Sequence, residues 1–204
     1  MRFKYYYWVF DKGLPESFCD DVIKYCKSLK SKKGLVGTKG KDVRKDVKVR
    51  DSNIVFTSEQ WIYRQIHPFI HSANRNAGWN FHWNFSEPIQ FTEYKKGQYY
   101  DWHYDMFKDP FNAPDNNNLN KKVRKLSAVI SLSDGNKYEG GDLEFYYGDS
   151  RFRKNKKSDF EIPKEMRNKG SIIVFPAFIF HRVTPVTKGT RHSLVNWNVG
   201  NPYT

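Results

Sequence analysis

The spacing of apolar residues along the chain changes near residue 79. Before that point, two segments repeat apolar residues at intervals of three and four, the period of one face of an amphipathic helix. The first begins near Leu14 and presents Phe18, Val22, Tyr25, Cys26 and Leu29. The second follows polar residues typical of a helix start, at 57–60, and presents Ile62, Ile66, Phe69, Ile70 and Ala73. The sequence therefore predicts two helices in its first third.

From residue 79 onward, apolar and polar residues alternate with a period of two, as in half-buried β-strands. The predicted strands span residues 79–85, 89–94, 125–132, 142–147, 171–175 and 191–199. Turn signals separate them at Lys96-Gly97, Asp134-Gly135, Gly140-Gly141 and Lys188-Gly189. Many short strands with glycine-rich turns favour a sandwich or barrel, and the two helices can cover one of its outer faces. We predict a mainly β fold with flanking helices, in which residues 1–78 pack on a core formed by residues 79–204 within a single domain.

Several segments fall outside this regular pattern. The aromatic residues 1–10 predict a further strand, and residues 53–56 a short one. Residues 108–124 form a polar stretch with an asparagine tract, and residues 151–164 form a charged stretch. Long loops of this kind are either functional lids or disordered, and both interpretations stay open.

Composition narrows the class of protein. The chain has 204 residues, enough for one domain with its own core, and 17% of them are aromatic. No stretch approaches the roughly 20 apolar residues of a membrane span, so we expect no membrane association. Cys19 and Cys26 lie seven apart on one predicted helix face, as small buried thiols do. We therefore expect a reducing, cytoplasmic compartment.

The net charge of +13 bears on which partners the protein could bind. A field of this sign attracts polyanions such as nucleic acid or an acidic protein segment, but it also serves solubility alone, and the sequence favours neither. Much of the excess lies in residues 27–50, where lysines and arginines alternate with glycines. This pattern predicts a basic loop over residues 31–50.

Three residues form a candidate metal site. His103 and Asp105 are two apart, so that their side chains point to the same side of a strand or its adjoining turn. A pair of this kind is common by chance and is weak evidence alone. His181 follows the apolar stretch 170–176, which can return the chain to the same end of the core. Two imidazoles and one carboxylate on one face of an ion are the ligand set of non-haem Fe(II) oxygenases.

Arg191 extends this candidate site. It opens the last predicted strand, with Ser193 two residues further on the same face. An arginine that points into a barrel carries an unpaired charge unless an anion meets it. Its planar guanidinium can hold the carboxylate of 2-oxoglutarate by a two-pronged hydrogen bond, with Ser193 as a further donor. The residues together indicate an iron enzyme that uses 2-oxoglutarate and O2.

With these motifs in place, the chain resembles the prolyl 4-hydroxylase group of 2-oxoglutarate- and Fe(II)-dependent dioxygenases, including its short PKHD-type bacterial and viral members. The resemblance covers roughly residues 87–200 and rests on motifs in the order of the family: residues 94–105, 126–133, 138–143, 170–176, 181–186, 189–191 and Trp197. One position is ambiguous, because collagen-type members often carry lysine where this chain has Arg191.

The resemblance implies a double-stranded β-helix, or jelly-roll, core. It implies iron ligation by His103, Asp105 and His181, and binding of 2-oxoglutarate by Arg191 with help from Tyr94 and Ser193. It places Tyr100 near the substrate proline and Trp197 in the lining of the cosubstrate pocket. The implied cofactors are Fe(II), 2-oxoglutarate and O2, with ascorbate left open as a further one. In the family the loop between the first helices folds over a bound peptide, a role the basic segment 31–50 would fill here.

The implied reaction is hydroxylation of a C–H bond with release of succinate and CO2. The favoured substrate is a proline in a protein or peptide, hydroxylated at the 4-position. An alternative is a free amino acid or other small molecule, and a second is a catalytically inactive jelly-roll binding module. Nucleic-acid dealkylation is disfavoured, because dealkylases usually carry a second arginine where this chain has Trp197. We expect a monomer or weak dimer.

Overall fold

The computed structural model describes residues 3–34, 49–147 and 160–203. The helices are α1, Glu16–Ser28, and α2, Gln60–Asn76. The strands, in chain order, are β1 Trp8–Phe10, β2 Lys32–Lys33, β3 Arg50–Asp51, β4 Asn53–Thr57, β5 Phe85–Ser86, β6 Ile89–Lys95, β7 Tyr99–His103, β8 Val123–Ser131, β9 Tyr138–Gly140, β10 Leu143–Tyr146, β11 Phe160–Glu161, β12 Ile172–Pro176, β13 Phe180–Val183 and β14 Val186–Gly200. No helix among these residues is long and apolar enough to cross a membrane.

Within the described residues, the strands form two antiparallel sheets. The larger sheet has the order β1-β12-β8-β14-β6-β4-β2, with β5 and β9 also paired to β14, and the smaller has the order β11-β10-β13-β7-β3. Side chains from both sheets share one core cluster, among them Val129 and Phe175 from the larger and Phe145 and Val183 from the smaller. The two sheets therefore face each other, and the predicted mainly β fold with flanking helices is confirmed.

Alternation along the central strands divides their side chains between two cores. Ala128 and Ile130 of β8 pack with α1 and α2 on the outer side of the larger sheet, whereas Val129 between them joins the core between the sheets. Strand β12 repeats this arrangement. The apolar faces of the helices cover the outer side as predicted, and Cys19 and Cys26 are buried there as free thiols.

The strand predicted over residues 79–85 is wrong for most of its length. Only Phe85 belongs to a strand, the short β5. Trp79 is buried, but its indole Nε1 donates to the backbone oxygen of Tyr5, and Asn80 has a positive φ of 51°. These contacts fix an irregular segment. Of the strand predicted over residues 1–10, only Trp8–Phe10 is a strand within the described residues 3–10.

The turn predicted at Lys188-Gly189 is also wrong, because β14 runs through it. Gly189 has a φ of +74°, and a Cβ there would lie 2.2 Å from the backbone oxygen of Lys137. The glycine allows β14 to pair with β9 on one side of it and with β6 and β8 on the other. A glycine in a strand interior often marks a close backbone approach of this kind.

The long polar segments have different outcomes. In the stretch 108–124, backbone hydrogen bonds join Phe111 N to Lys122 O at 2.9 Å and Lys121 N to Phe111 O at 2.8 Å, so this loop is ordered up to the start of β8. Most of the basic loop 31–50 and of the charged stretch 151–164 lies outside the described residues.

A core substitution tests the packing of α2 on the larger sheet. Ile66 is fully buried in the cluster between them. Ile66→Ala is expected to lower the free energy of unfolding by about 2–5 kcal/mol, because it leaves a cavity that the sheet cannot fill. Urea unfolding measures the change. Phe56→Ala, at a side chain that is 51% exposed, is the control and is expected to change stability by less than about 0.5 kcal/mol. An unaltered Ile66→Ala variant would contradict this packing.

Candidate active site

The pocket between the two sheets contains every site residue predicted from the sequence. Those eight residues are Tyr94, Tyr100, His103, Asp105, His181, Arg191, Ser193 and Trp197. The apolar residues Val129, Leu143, Val183 and Val195 line the same pocket, together with Gln90. Predicted polar groups therefore converge on one partly apolar cavity, the usual form of a small-molecule or cofactor site.

Strand pairing brings the candidate metal ligands together. His103 ends β7, and His181 lies opposite it in the neighbouring strand β13. Asp105 is two residues beyond the end of β7, and its carboxylate oxygens lie 3.7 Å from His103 Nε2 and 3.6 Å from His181 Nε2. One ligand atom from each residue lies within 4.8 Å of the others, so this group could hold a metal ion.

Hydrogen bonds orient these ligands for a metal. His103 Nδ1 lies 2.7 Å from the backbone oxygen of Asp101, and His181 Nδ1 lies 2.9 Å from that of Ile179. A backbone oxygen only accepts, so each Nδ1 carries the proton and each Nε2 presents its lone pair to the centre of the cluster. Ser127 Oγ donates to Asp105 Oδ2 at 2.7 Å and fixes the carboxylate.

Burial and neighbouring charges set the protonation states that a metal requires. Burial, reinforced by His181, lowers the pKa of His103 to about 3, so its imidazole is neutral at neutral pH. Burial alone would raise the pKa of Asp105, but the adjacent His181 and His103 hold it below its ordinary value. A neutral imidazole beside an ionised carboxylate is the form in which these groups bind a metal.

Removing the Ser127 hydroxyl tests this orientation. Ser127→Ala is expected to weaken divalent metal binding by about tenfold, because Asp105 loses the hydrogen bond that fixes its carboxylate. Titration with Mn(II) measures the effect. Ser86→Ala removes a hydroxyl that bonds to Asn198 at 2.7 Å, outside the pocket, and should leave the affinity unchanged. Equal affinities in the two variants would contradict a role for Ser127.

Arg191 is a buried cation with no carboxylate partner among the described residues. Its side chain is only 2% exposed, its Nη1 donates to Ser193 Oγ at 3.2 Å, and its guanidinium lies 5.6 Å from the ring centre of Tyr94. A buried guanidinium without an anion is costly. The carboxylate of a ligand such as 2-oxoglutarate would supply that anion, so the pocket fits the cosubstrate inferred from the sequence.

Two tyrosines and a tryptophan form walls of the pocket. The Tyr100 ring stacks on His103 with centroids 3.5 Å apart, and the Arg50 guanidinium lies 4.6 Å from the Tyr100 ring centre. Burial raises the pKa of Tyr100 to about 12 and also raises that of Tyr94, so both phenols remain neutral. Trp197 is buried, and its Nε1 has no hydrogen-bond partner in the described part of the chain.

Sequence reasoning missed several polar residues around the pocket. Ser127, Arg124 and Glu87 contact or support Asp105, and Arg50 supports Tyr100. Ser127 carries a sequence signal, because it is a polar residue within the apolar strand β8. The pairing of Glu87 with Arg124 joins residues 37 apart and has no local signature.

Three further histidines and an arginine lie outside the site. His192 is buried on the outer side of the larger sheet, where it bonds to Ser133 and Glu93 and stacks on Phe91. Arg182 pairs with Glu144 instead of pointing into the pocket. His67 and His71 pack against Trp83.

A sandwich of antiparallel sheets that holds two histidines and a carboxylate in its pocket defines a class, the non-haem iron oxygenases with a facial ligand set. Comparison with known families gives the same result. The sequence profile of the 2OG-Fe(II) oxygenase superfamily matches residues 89–199, more than half of the chain. The chain belongs to this superfamily.

Relatives with curated descriptions agree with this membership. A PKHD-type hydroxylase of Pseudoalteromonas atlantica is 32% identical over 111 residues, which are 54% of this chain and 42% of the relative. The chain thus spans less than half the length of that relative. The resemblance to PKHD-type hydroxylases stated from the motifs is confirmed.

Solved structures share the fold over nearly the whole chain. The viral collagen prolyl hydroxylase of Paramecium bursaria Chlorella virus-1, in complex with 2OG, matches with a TM-score of 0.62 at 21% identity, covering 97% of each chain. A Trichoplax adhaerens prolyl hydroxylase in complex with a hypoxia inducible factor peptide fragment matches with a TM-score of 0.64 at 14% identity, covering 96% of this chain and 84% of the other. The jelly-roll prediction is confirmed.

Proposed function

We propose that this protein is an Fe(II)- and 2-oxoglutarate-dependent dioxygenase that hydroxylates a prolyl residue of a protein or peptide at the 4-position, with release of succinate and CO2. The observation that carries the proposal is a single pocket that holds both the cluster of His103, Asp105 and His181 and the cation Arg191, which has no carboxylate partner among the described residues. Bound iron would supply the activation of O2. The chain's own residues bind, orient and shield the reactants.

His103, Asp105 and His181 would hold the iron through two imidazoles and one carboxylate. Arg191 would bind the distal carboxylate of 2-oxoglutarate, with Ser193 and the Tyr94 hydroxyl as further donors. A carboxylate that accepts hydrogen bonds from two or three donors in a pocket shielded from water is bound strongly, because the low dielectric strengthens each of these charged hydrogen bonds. With its distal carboxylate held by Arg191, the cosubstrate would extend within the pocket that also contains His103, Asp105 and His181.

The walls of the pocket would orient the substrate and exclude water. Tyr100 stacks on the ligand His103 and can present its neutral phenol to a substrate amide beside the metal. Trp197, with Val129 and Leu143, contributes apolar walls to the pocket. A dry, apolar wall suits the ring of proline and protects the bound reactants from solvent.

The choice of a prolyl substrate rests on the similarity of this chain to solved structures of prolyl hydroxylases. The solved structures described above are named as prolyl hydroxylases, one of them with a bound peptide fragment. A free amino acid or other small molecule remains the alternative. The use of ascorbate, a cytoplasmic location, a monomeric or weakly dimeric state and an acidic or nucleic-acid-associated partner remain predictions.

Mass spectrometry tests the substrate directly. The Fe(II)-loaded protein is incubated with 2-oxoglutarate and a panel of proline-containing peptides, beside matched peptides with alanine in place of proline and beside free amino acids. The proposal predicts the addition of one oxygen atom to proline residues of a peptide and none to the alanine peptides. Hydroxylation of a free amino acid alone would contradict the peptide substrate and support the small-molecule alternative.

A further inference from the structure

Glu87 and Arg124 form a buried ion pair beside the metal cluster. Arg124 Nε donates to Glu87 Oε1 at 2.6 Å and Nη2 donates to Oε2 at 2.9 Å. The Arg124 side chain is only 11% exposed and the Glu87 side chain only 13%. The remaining guanidinium nitrogen, Nη1, donates to the backbone oxygen of Asp105 at 3.2 Å. A full positive charge therefore touches the residue that supplies the carboxylate of the candidate metal cluster.

The surroundings of Arg124 restrict how its guanidinium can move. The guanidinium carbon lies 3.9 Å from the ring centre of Trp197 and 4.6 Å from that of Phe107. These aromatic contacts restrain the tilt of the planar group but leave rotation within its plane open. The two-pronged bond to Glu87 fixes that rotation.

Glu87 is itself held rigidly. Its backbone N–H donates to the backbone oxygen of Trp197 at 2.9 Å. Its backbone oxygen accepts from the Tyr63 hydroxyl at 2.9 Å and from Asn196 Nδ2 at 3.2 Å. The backbone of Glu87 is thus fixed to the larger sheet and α2, and from there its carboxylate anchors the Arg124 guanidinium.

Without this anchor, the guanidinium would turn toward the other carboxylate of the same region, that of Asp105. An arginine that pairs with Asp105 competes with a divalent cation for the same oxygens and cancels the charge that attracts the ion. We propose that Glu87 is a positioning residue that holds Arg124 away from the Asp105 carboxylate and keeps this carboxylate available to the metal. The inference rests on the proposed function, because it takes the His103–Asp105–His181 cluster as a metal site.

Mn(II) binding by the purified full chain tests this inference, with free Mn(II) measured by electron paramagnetic resonance. Glu87→Gln places an NH2 group opposite an NH2 group of Arg124 and should release the guanidinium. We expect about tenfold weaker Mn(II) binding, the size typical of changes around metal ligands. Addition of Arg124→Met removes the competing cation, so the double variant should return to within about threefold of wild type. A residue with only a structural role would not show this rescue.

Glu144→Gln is the matched control. Glu144 also pairs with an arginine, Arg182, at 2.7 Å, its side chain is also 13% exposed, and Arg182 also lies over a tryptophan, Trp102. This variant should bind Mn(II) like wild type. Circular dichroism checks that each variant folds. If Glu87→Gln does not fold, Glu87→Asp replaces it, because aspartate keeps the negative charge on a side chain shorter by one methylene group. It should show a smaller loss with the same rescue.

The outcomes separate this inference from the proposed function. Wild-type affinity in the Glu87 variant would overturn the role of Glu87, and so would a double variant that binds no more tightly than the single one. Wild-type protein whose Mn(II) binding is absent or insensitive to His181→Ala would overturn the metal site, and the inference with it.

Discussion

His181→Ala is expected to abolish metal binding and 2-oxoglutarate turnover together. His181 is 4% exposed and its Nε2 lies 3.6 Å from Asp105 Oδ2, so its loss leaves a cluster of only two protein ligands. Loss of an outer-shell partner already costs about 10–100-fold in metal affinity, and loss of a direct ligand should cost at least as much. Equilibrium binding of Fe(II) under anaerobic conditions and succinate formation measure the two effects.

His71→Ala controls for the removal of a histidine. The His71 ring stacks on Trp83 at 4.6 Å, on α2 and outside the pocket. This variant should bind Fe(II) and form succinate as wild type does. Retention of wild-type affinity by His181→Ala would contradict the assignment of the metal site.

Arg191→Met is expected to raise the KM for 2-oxoglutarate by about a hundredfold. A hydrogen bond to a charged group contributes about 1.5–3 kcal/mol, and about 2.7 kcal/mol corresponds to a hundredfold change in binding. Methionine keeps much of the volume of the buried side chain but offers no donor to the carboxylate. Arg191→Lys keeps the charge without the planar fork, so its KM should lie between those of wild type and Arg191→Met. Steady-state kinetics with varied 2-oxoglutarate measure both.

The effect should be specific to the cosubstrate. Fe(II) affinity is expected to remain unchanged in Arg191→Met, because Arg191 donates to Ser193 and contacts no metal ligand directly in the hydrogen bonds described. Arg182→Met, which removes an arginine paired with Glu144, should leave the KM unchanged. An unaltered KM in Arg191→Met would rule out Arg191 as the carboxylate-binding residue.

The candidate ligands were predictable because their chemistry is local. His103 and Asp105 are two residues apart, so their side chains are expected on the same side of a strand. The apolar stretch before His181 predicts a buried strand. The pairing that sets His181 opposite His103 was not predictable from periodicity, because β7 and β13 are short and carry aromatic and polar residues instead of alternating. Placement of all eight predicted residues in one pocket depends on this pairing. Their individual roles stay predictions until they are measured.

Errors in the fold arose where tertiary contacts override local signals. Trp79 and its neighbours follow a strand-like pattern, but the Trp79 side chain bonds to Tyr5 and the segment is irregular. Gly189 resembles a turn glycine, but it marks the point where β14 exchanges partners. The Glu87–Arg124 pair shows the same limit for the site, since a long-range ion pair leaves no trace in periodicity. The prediction of a single domain stays a prediction.

The most direct test of the central claim is the conversion of 2-oxoglutarate to succinate and CO2 by the wild-type protein, with Fe(II) and after removal of metal by chelation. We predict turnover that requires both Fe(II) and O2 and that a suitable proline-containing peptide stimulates. Absence of turnover together with absence of Fe(II) binding would contradict the claim and identify the chain as an inactive binding module with the same fold.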